Sequence, residues 1–239
     1  MCINIEINKI LYADCSALLL GGKNMSAFLG PIHHWLFNKI TLFEDLEKDI
    51  NRKVVAKYGQ QASTIQSEAE KKYGAFIPEL PLENLIDTNN IHGWLQNRIS
   101  IAEKRQAETL TSFVNAFGGE VISMIEDRYV AQGAKAGKVA GESKSLEAPS
   151  IYQELNNYLL EGMPCDNVNS VTISEPNFLE WNTIGCLHKP YWNEVGADSK
   201  LMYQLRFAWI KAFIENANSK YTYRNEAKNQ GFVHQIIEK

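Results

Sequence analysis

The chain has 239 residues, 45% of them hydrophobic, and 28 acids against 24 bases give a formal net charge of -4. That length builds one large domain or two small ones. The charges form neither a basic stripe nor a basic amphipathic segment, which argues against nucleic acid or a membrane surface as partner.

The first apolar stretch, ILYADCSALLLGG (residues 10–22), is interrupted by Asp14. It falls short of the roughly 20 residues of a membrane span. Glu6 precedes the single Lys9 and the run ends in Gly21-Gly22-Lys23, unlike a secretory leader. Cys2, Cys15, Cys165 and Cys186 show no CxxC spacing. Reduced thiols and a cytoplasmic setting are therefore expected.

From residue 32 the text repeats itself. IHHWLFNKITLFE (32–44) returns as IHGWLQNRISIAE (91–103), with His, Trp, Asn, a basic residue and Glu at matching places. At the same offset Tyr58-Gly59 matches Phe117-Gly118, and Gly74 matches Gly133. An ungapped match of this length reads as an internal duplication, residues ~27–80 and ~86–140. Each unit reads as helix, glycine break, helix. Ile32, Leu36, Ile40, Phe43, Leu46, Ile50 and Val54 recur at helical spacing behind Pro31, and residues 87–90 offer caps for the second unit.

PELPLENLID (78–87) reads as the linker between units, and residues 133–150, rich in Gly, Ala, Ser and Lys, as a flexible connection. Beyond it, IYQELNNYLLEGM (151–163) suggests a helix ending near Gly162, VNSVTIS and FLEWNTIGCL suggest strands, and PYWNEVG a helical turn. SKLMYQLRFAWIKAFIENA has the period of a buried helix, and the tail alternates on both sides of Asn229-Gln230-Gly231 as a hairpin does. The expected fold class is α+β. A duplicated, pseudo-two-fold helical region (1–146) precedes a small α+β region with an antiparallel sheet (147–239).

Two clusters could carry chemistry. On a helix, +11 lies within about 20° of the starting direction, so His33 shares a face with Glu44, and His92 with Glu103. The rise separates each pair by roughly 16 Å, too far for both to ligate one ion. In an antiparallel pair of units His33 would meet Glu103 and His92 would meet Glu44. Buried His–carboxylate pairs, a ligand or metal pocket on the pseudo-axis, and surface exposure are the readings open here. Trp35 and Trp94 read as core, and Asn38 and Asn97 as makers of specific hydrogen bonds.

The second cluster is IGCLHKPYWNEVG (184–196). Cys186 and His188, two apart at the end of a strand-like run, would share a face, and a thiol beside an imidazole can yield a reactive thiolate. The alternative is a buried, inert cysteine. Cys165 in EGMPCDNV could face the same cleft, and with Cys186 and His188 could hold zinc, although no tight ligand pair supports that. Nothing resembles a phosphate loop, HExxH, GxSxG or an EF-hand.

Three stretches resemble the L-2-amino-thiazoline-4-carboxylic acid hydrolase-like family. They are AKYGQQASTIQSEAEKKYG, NTIGCLHKPYWNEVG and the closing LRFAWIKAFIENANSKYTYRNEAKNQGFVHQIIEK. The family's closing Gly-then-Cys becomes Gly231 and His234 here, and its Cys-Pro becomes Cys186-Leu187 with Pro at 190. The resemblance implies a hydrolase for a C–N bond of a small cyclic or amide-like substrate. Cys186 would be the nucleophile and His188 or His234 the base, with Arg206 pairing with a substrate carboxylate or, alternatively, closing an interdomain ion pair. No cofactor is expected, a metal is left open, and a homo-oligomer is allowed. The alternative from another class is a ligand- or metal-binding protein without turnover, using His33, His92, Glu44 and Glu103.

Overall fold

A computed structural model describes residues 29–142, 145–228 and 231–239. The apolar run 10–22, Cys2 and Cys15 lie outside the described residues. Among the described residues, seven α-helices are followed by, and interleaved with, four strands: α1 (Pro31–Tyr58), α2 (Gln60–Tyr73), α3 (Ile91–Phe117), α4 (Gly119–Gly141), α5 (Ala148–Leu155), β1 (Asn169–Glu175), β2 (Phe178–Ile184), α6 (Lys189–Glu194), α7 (Ser199–Ala217), β3 (Tyr221–Lys228) and β4 (Gly231–Glu238). The fold is α+β, helices first and an antiparallel sheet last. None of the described helices is long and apolar enough to cross a membrane.

Local chemistry accounts for the boundaries. Pro31 opens α1, where its missing N–H costs nothing. Asn90 caps α3 by accepting from the Gly93 N–H at 3.1 Å. The breaks between α1 and α2 and between α3 and α4 fall at Gly59 (φ 63°, ψ -136°) and Gly118 (φ 73°, ψ -157°). A side chain would be strained at either place. Their N–H groups bond Val55 O and Val114 O at 2.8 and 2.9 Å.

Three expectations are corrected. Gly133 is no break, and the stretch expected to be a flexible connection from 133 is helical through Gly141. The reason is tertiary. Gly133, Gly137 and Gly141 lie at i, i+4 and i+8 against α7, where an added Cβ would come within 2.4, 2.2 and 2.3 Å of the carbonyl oxygens of Trp209, Phe213 and Ala217. Glycine here permits close helix packing rather than motion. Second, α5 stops at Leu155, well before Gly162. The following turn is tied back to α1 by Trp35 Nε1 donating to Asn157 Oδ1 at 3.0 Å, and Leu160 enters a core cluster. Third, Trp35 and Trp94 are only half-buried, and Asn38 and Asn97 are exposed.

The sheet order is β1-β2-β4-β3, all antiparallel. Leu179 and Trp181 on β2, His234 and Ile236 on β4, and Tyr221 and Tyr223 on β3 are the buried, alternate residues, as expected of one face packed on the interior. One hydrophobic cluster runs from Leu46 and Ile50 of α1 through α3, α4 and α7 to Trp181 and Ile236 of the sheet. A smaller cluster joins the first halves of α1 and α3 to the linker through Leu36, Ile40, Ile77, Leu95 and Ile99. The space between α3, α7 and the sheet holds the site.

Candidate functional site

Its centre is a carboxylate–imidazole pair. Glu103, midway along α3, meets His188 in the turn between β2 and α6, with Nδ1 to Oε1 at 2.6 Å. Both residues are buried. Facing a carboxylate, Nδ1 carries the proton and donates, which leaves Nε2 as an acceptor in the neutral ring. His188 Nε2 has no hydrogen-bond partner among the described residues, and the nearest carboxylate oxygen, Glu161 Oε2, is 4.0 Å away. The ring stacks on Trp192 of α6, with centroids 5.4 Å apart.

Glu161 comes from the loop after α5. It accepts from Nη2 of Arg206 on α7, and the same nitrogen reaches Leu160 O at 3.0 Å. Burial alone would raise the Glu161 carboxyl, but Arg206, His188 and Lys39 outweigh it and hold it below the usual carboxylate range. Lys39 of α1 is buried with its Nζ 3.7 Å from the Trp35 ring centroid. Burial lowers Lys39 to about 7, with Glu161 opposing and Arg206 adding to the shift.

Cys186 and His188 lie in the turn beyond the end of β2 rather than on a strand face. Even so, Cys186, His188, Arg206, Glu161, Tyr203 and His234 all line one small cavity of about 20 Å³, partly open to solvent. The Cys186 Sγ accepts the Lys189 N–H at 3.1 Å. Burial, then the neighbouring Cys186 thiol, raises the Tyr203 phenol, which stays protonated.

His234 lies on the terminal hairpin beside β2, as expected, but its bonding does not suit a base. Its Cα partners are Trp181 and Asn225, and it stacks on Trp181 with centroids 4.7 Å apart. Thr183 Oγ1 donates to Asn169 Oδ1 at 2.7 Å, so it accepts from His234 Nε2 at 3.0 Å. The Tyr223 hydroxyl must then donate to His234 Nδ1 at 2.7 Å. Both nitrogens are engaged, and burial lowers the imidazole to about 4. A neutral, fully bonded ring is unsuited to taking up a proton near pH 7.

The expected His33–Glu103 and His92–Glu44 pairs do not form. The two histidines meet each other, Nε2 to Nε2 at 3.3 Å. Glu103 goes to His188. Glu44 accepts from Arg98 at 3.1 Å, from Arg105 at 3.0 Å and from the Ile77 N–H at 2.7 Å. Arg105 is fully buried, bonds both Glu47 oxygens at 3.1 Å and lies over the Phe76 ring. Helix direction alone placed the acids correctly on the inner face, but it could not supply their partners, which come from other elements. Cys165 is exposed on a short 3₁₀ turn and does not line the cavity. Among the described residues no group of three or more His, Cys, Asp or Glu could hold a metal ion.

Sequence reasoning missed Lys39, Glu161, Tyr203 and Arg105. A cation inside an apolar stripe, Lys39 between Leu36 and Ile40 or Arg105 between Ala102 and Thr109, was the available signal. Comparison with protein families, with characterised proteins and with solved structures finds no match to this chain.

Proposed function

We propose that the chain is a cytoplasmic hydrolase acting on a C–N bond of a small cyclic or amide-like molecule, in keeping with the family resemblance of its last third. The observation that carries this reading is the Glu103–His188 pair, whose Nε2 has no hydrogen-bond partner and whose residue shares a cavity wall with Cys186. Nucleophile, base and orienting carboxylate are the three parts of nucleophilic acyl transfer.

In this scheme His188 Nε2 takes the Cys186 proton, and the thiolate attacks the electrophilic carbon of the C–N bond. The Tyr203 hydroxyl is the donor available to the developing oxyanion. Collapse breaks the C–N bond, and the proton on His188 leaves with the amine. Water, deprotonated by the same nitrogen, then cleaves the thioester and restores the thiol. Glu103 orients the imidazole throughout. His234 holds Thr183 and Tyr223 in place and transfers no proton. Arg206, tied to Glu161, would meet a substrate carboxylate only by sharing or exchanging that partner.

The test is Cys186 alkylation as a function of pH, with product analysis on a panel of lactams and cyclic amidines. Glu103→Gln should lower turnover by about 10²–10⁴-fold and shift the alkylation profile, and Cys186→Ser should remove turnover. Alkylation of Cys186 only after unfolding would sink the scheme. A second reading, a small-ligand binding protein without turnover, is favoured by the internally satisfied Arg206–Glu161 pair. It predicts thermal stabilisation by panel compounds with no product formed. We further infer that the helix–glycine–helix units arose by duplication, with His33 and His92 as equivalent residues.

A further inference from the structure

Arg105 and Arg206 both pair with carboxylates, in contrasting ways. Arg105 bonds through all three of its side-chain nitrogens, Nε and Nη2 to Glu47, Nη2 also to Glu44, and Nη1 to Gly74 O. Its side chain is 0% exposed. Arg206 makes both of its hydrogen bonds among the described residues through Nη2, to Glu161 Oε1 and to Leu160 O. This pair reaches solvent, with side chains 13% and 21% exposed. The first arginine is closed in on every side, and the second is not.

Glu161 is also the partner that can leave. It belongs to no helix or strand, and Gly162 follows it at φ 87°. Leu160 before it is anchored in the smaller core cluster. The main chain therefore stays in place while the Glu161 side chain turns out into solvent that it already touches.

Arg206 lines two small cavities, of about 50 and 20 Å³. A ligand finds room at the guanidinium only where a group already there gives way. Breaking the pair outright would leave a desolvated charge unpaired, which is costly. Exchanging one carboxylate for another keeps Arg206 paired. Glu161 holds a single guanidinium nitrogen, and its Oε2 stands 4.0 Å from His188 Nε2. A carboxylate free of the backbone can take two nitrogens in the parallel fork that arginine favours. The surroundings favour an anion at this point, since Arg206, His188 and Lys39 all stabilise the charge on Glu161.

We propose that Glu161 is a resident carboxylate occupying a ligand site, and that the carboxylate of a small organic molecule binds by displacing it from Arg206 beside His188. A carboxylate already fills the position such a ligand takes, so the fit needs no void. An uncharged molecule cannot make the exchange and is excluded. The assignment needs neither turnover nor Cys186.

The experiment follows the Arg206 Nε–H resonance of ¹⁵N-arginine-labelled protein, assigned by its loss in Arg206→Lys. Sodium propionate is titrated in at constant ionic strength. The signal should shift and saturate, while propionamide, the uncharged isostere, leaves it in place. Glu161→Gln keeps the size of the side chain and removes the competing charge, so it should bind propionate about tenfold more tightly or better. Equal or weaker binding by Glu161→Gln means a purely structural ion pair and overturns the proposal. So does a signal that propionate leaves unmoved, or that propionamide moves as far. The comparison of the two probes on the wild type decides the matter even where Glu161→Gln fails to fold. Cys186→Ser should bind propionate as the wild type does, which separates this result from the fate of the hydrolase reading.

Discussion

His33 donates to His92, and the direction of that bond follows from a third group. The Gly30 N–H points at His33 Nδ1 at 2.9 Å, so the His33 proton is on Nε2 and faces His92 Nε2 at 3.3 Å. His92 must then carry its own proton on Nδ1. Long-range ¹⁵N spectra should show opposite tautomers, Nε2–H for His33 and Nδ1–H for His92. Replacing His92 with Phe should cost about 0.5–1.5 kcal/mol. The same tautomer at both sites would contradict this geometry.

Lys39 sets a pH dependence. Its amine is lowered from 10.5 to about 7 by burial, so between these values the unfolded chain holds a proton that the folded protein does not. Stability therefore rises as pH increases from 7 towards 10.5, and the full penalty is present below 7. Lys39→Met should be more stable than wild type at pH 6–7 by an amount on the order of a few kcal/mol. The difference should fade towards pH 10.5. Denaturant titrations across that range check it, and a pH-independent difference would refute the assignment.

Arg105 neutralises two carboxylates in a dry place. Removing its guanidinium leaves Glu44 and Glu47 buried, with only Arg98 as a remaining counter-charge to Glu44. Arg105→Met should destabilise by about 3–5 kcal/mol. The triple replacement with Glu44→Gln and Glu47→Leu should recover most of that loss. Urea unfolding of the single and triple variants measures both.

Gly137→Ala tests the helix contact. On an isolated helix alanine is better by about 1 kcal/mol, but here its Cβ would sit 2.2 Å from Phe213 O. Overpacking of that kind costs roughly 1–3 kcal/mol. The thermal midpoint should fall, and a rise would show that α4 and α7 have room to part.

Much of this fold was already written locally. The spacing of Leu36, Ile40, Leu46, Ile50 and Val54 requires a helix with a buried stripe, Asn90 and Pro31 mark starts, and Gly59 and Gly118 mark stops, because each acts within a few residues of itself. The alternation around residues 229–231 likewise settles the terminal hairpin. The closeness of Cys186 and His188 in sequence kept them beside one cavity even though neither is on a strand. What only the tertiary structure decided are the pairings between distant residues. Glu103 and His188 stand 85 positions apart, and no local rule says that α3 presents that acid to that turn rather than to His33. The glycines of α4 show the same limit from the other side. Composition reads GAKAGKVAG as a linker because glycine raises chain entropy, and only the α7 backbone, packed where a Cβ would clash, turns those residues into a helix surface.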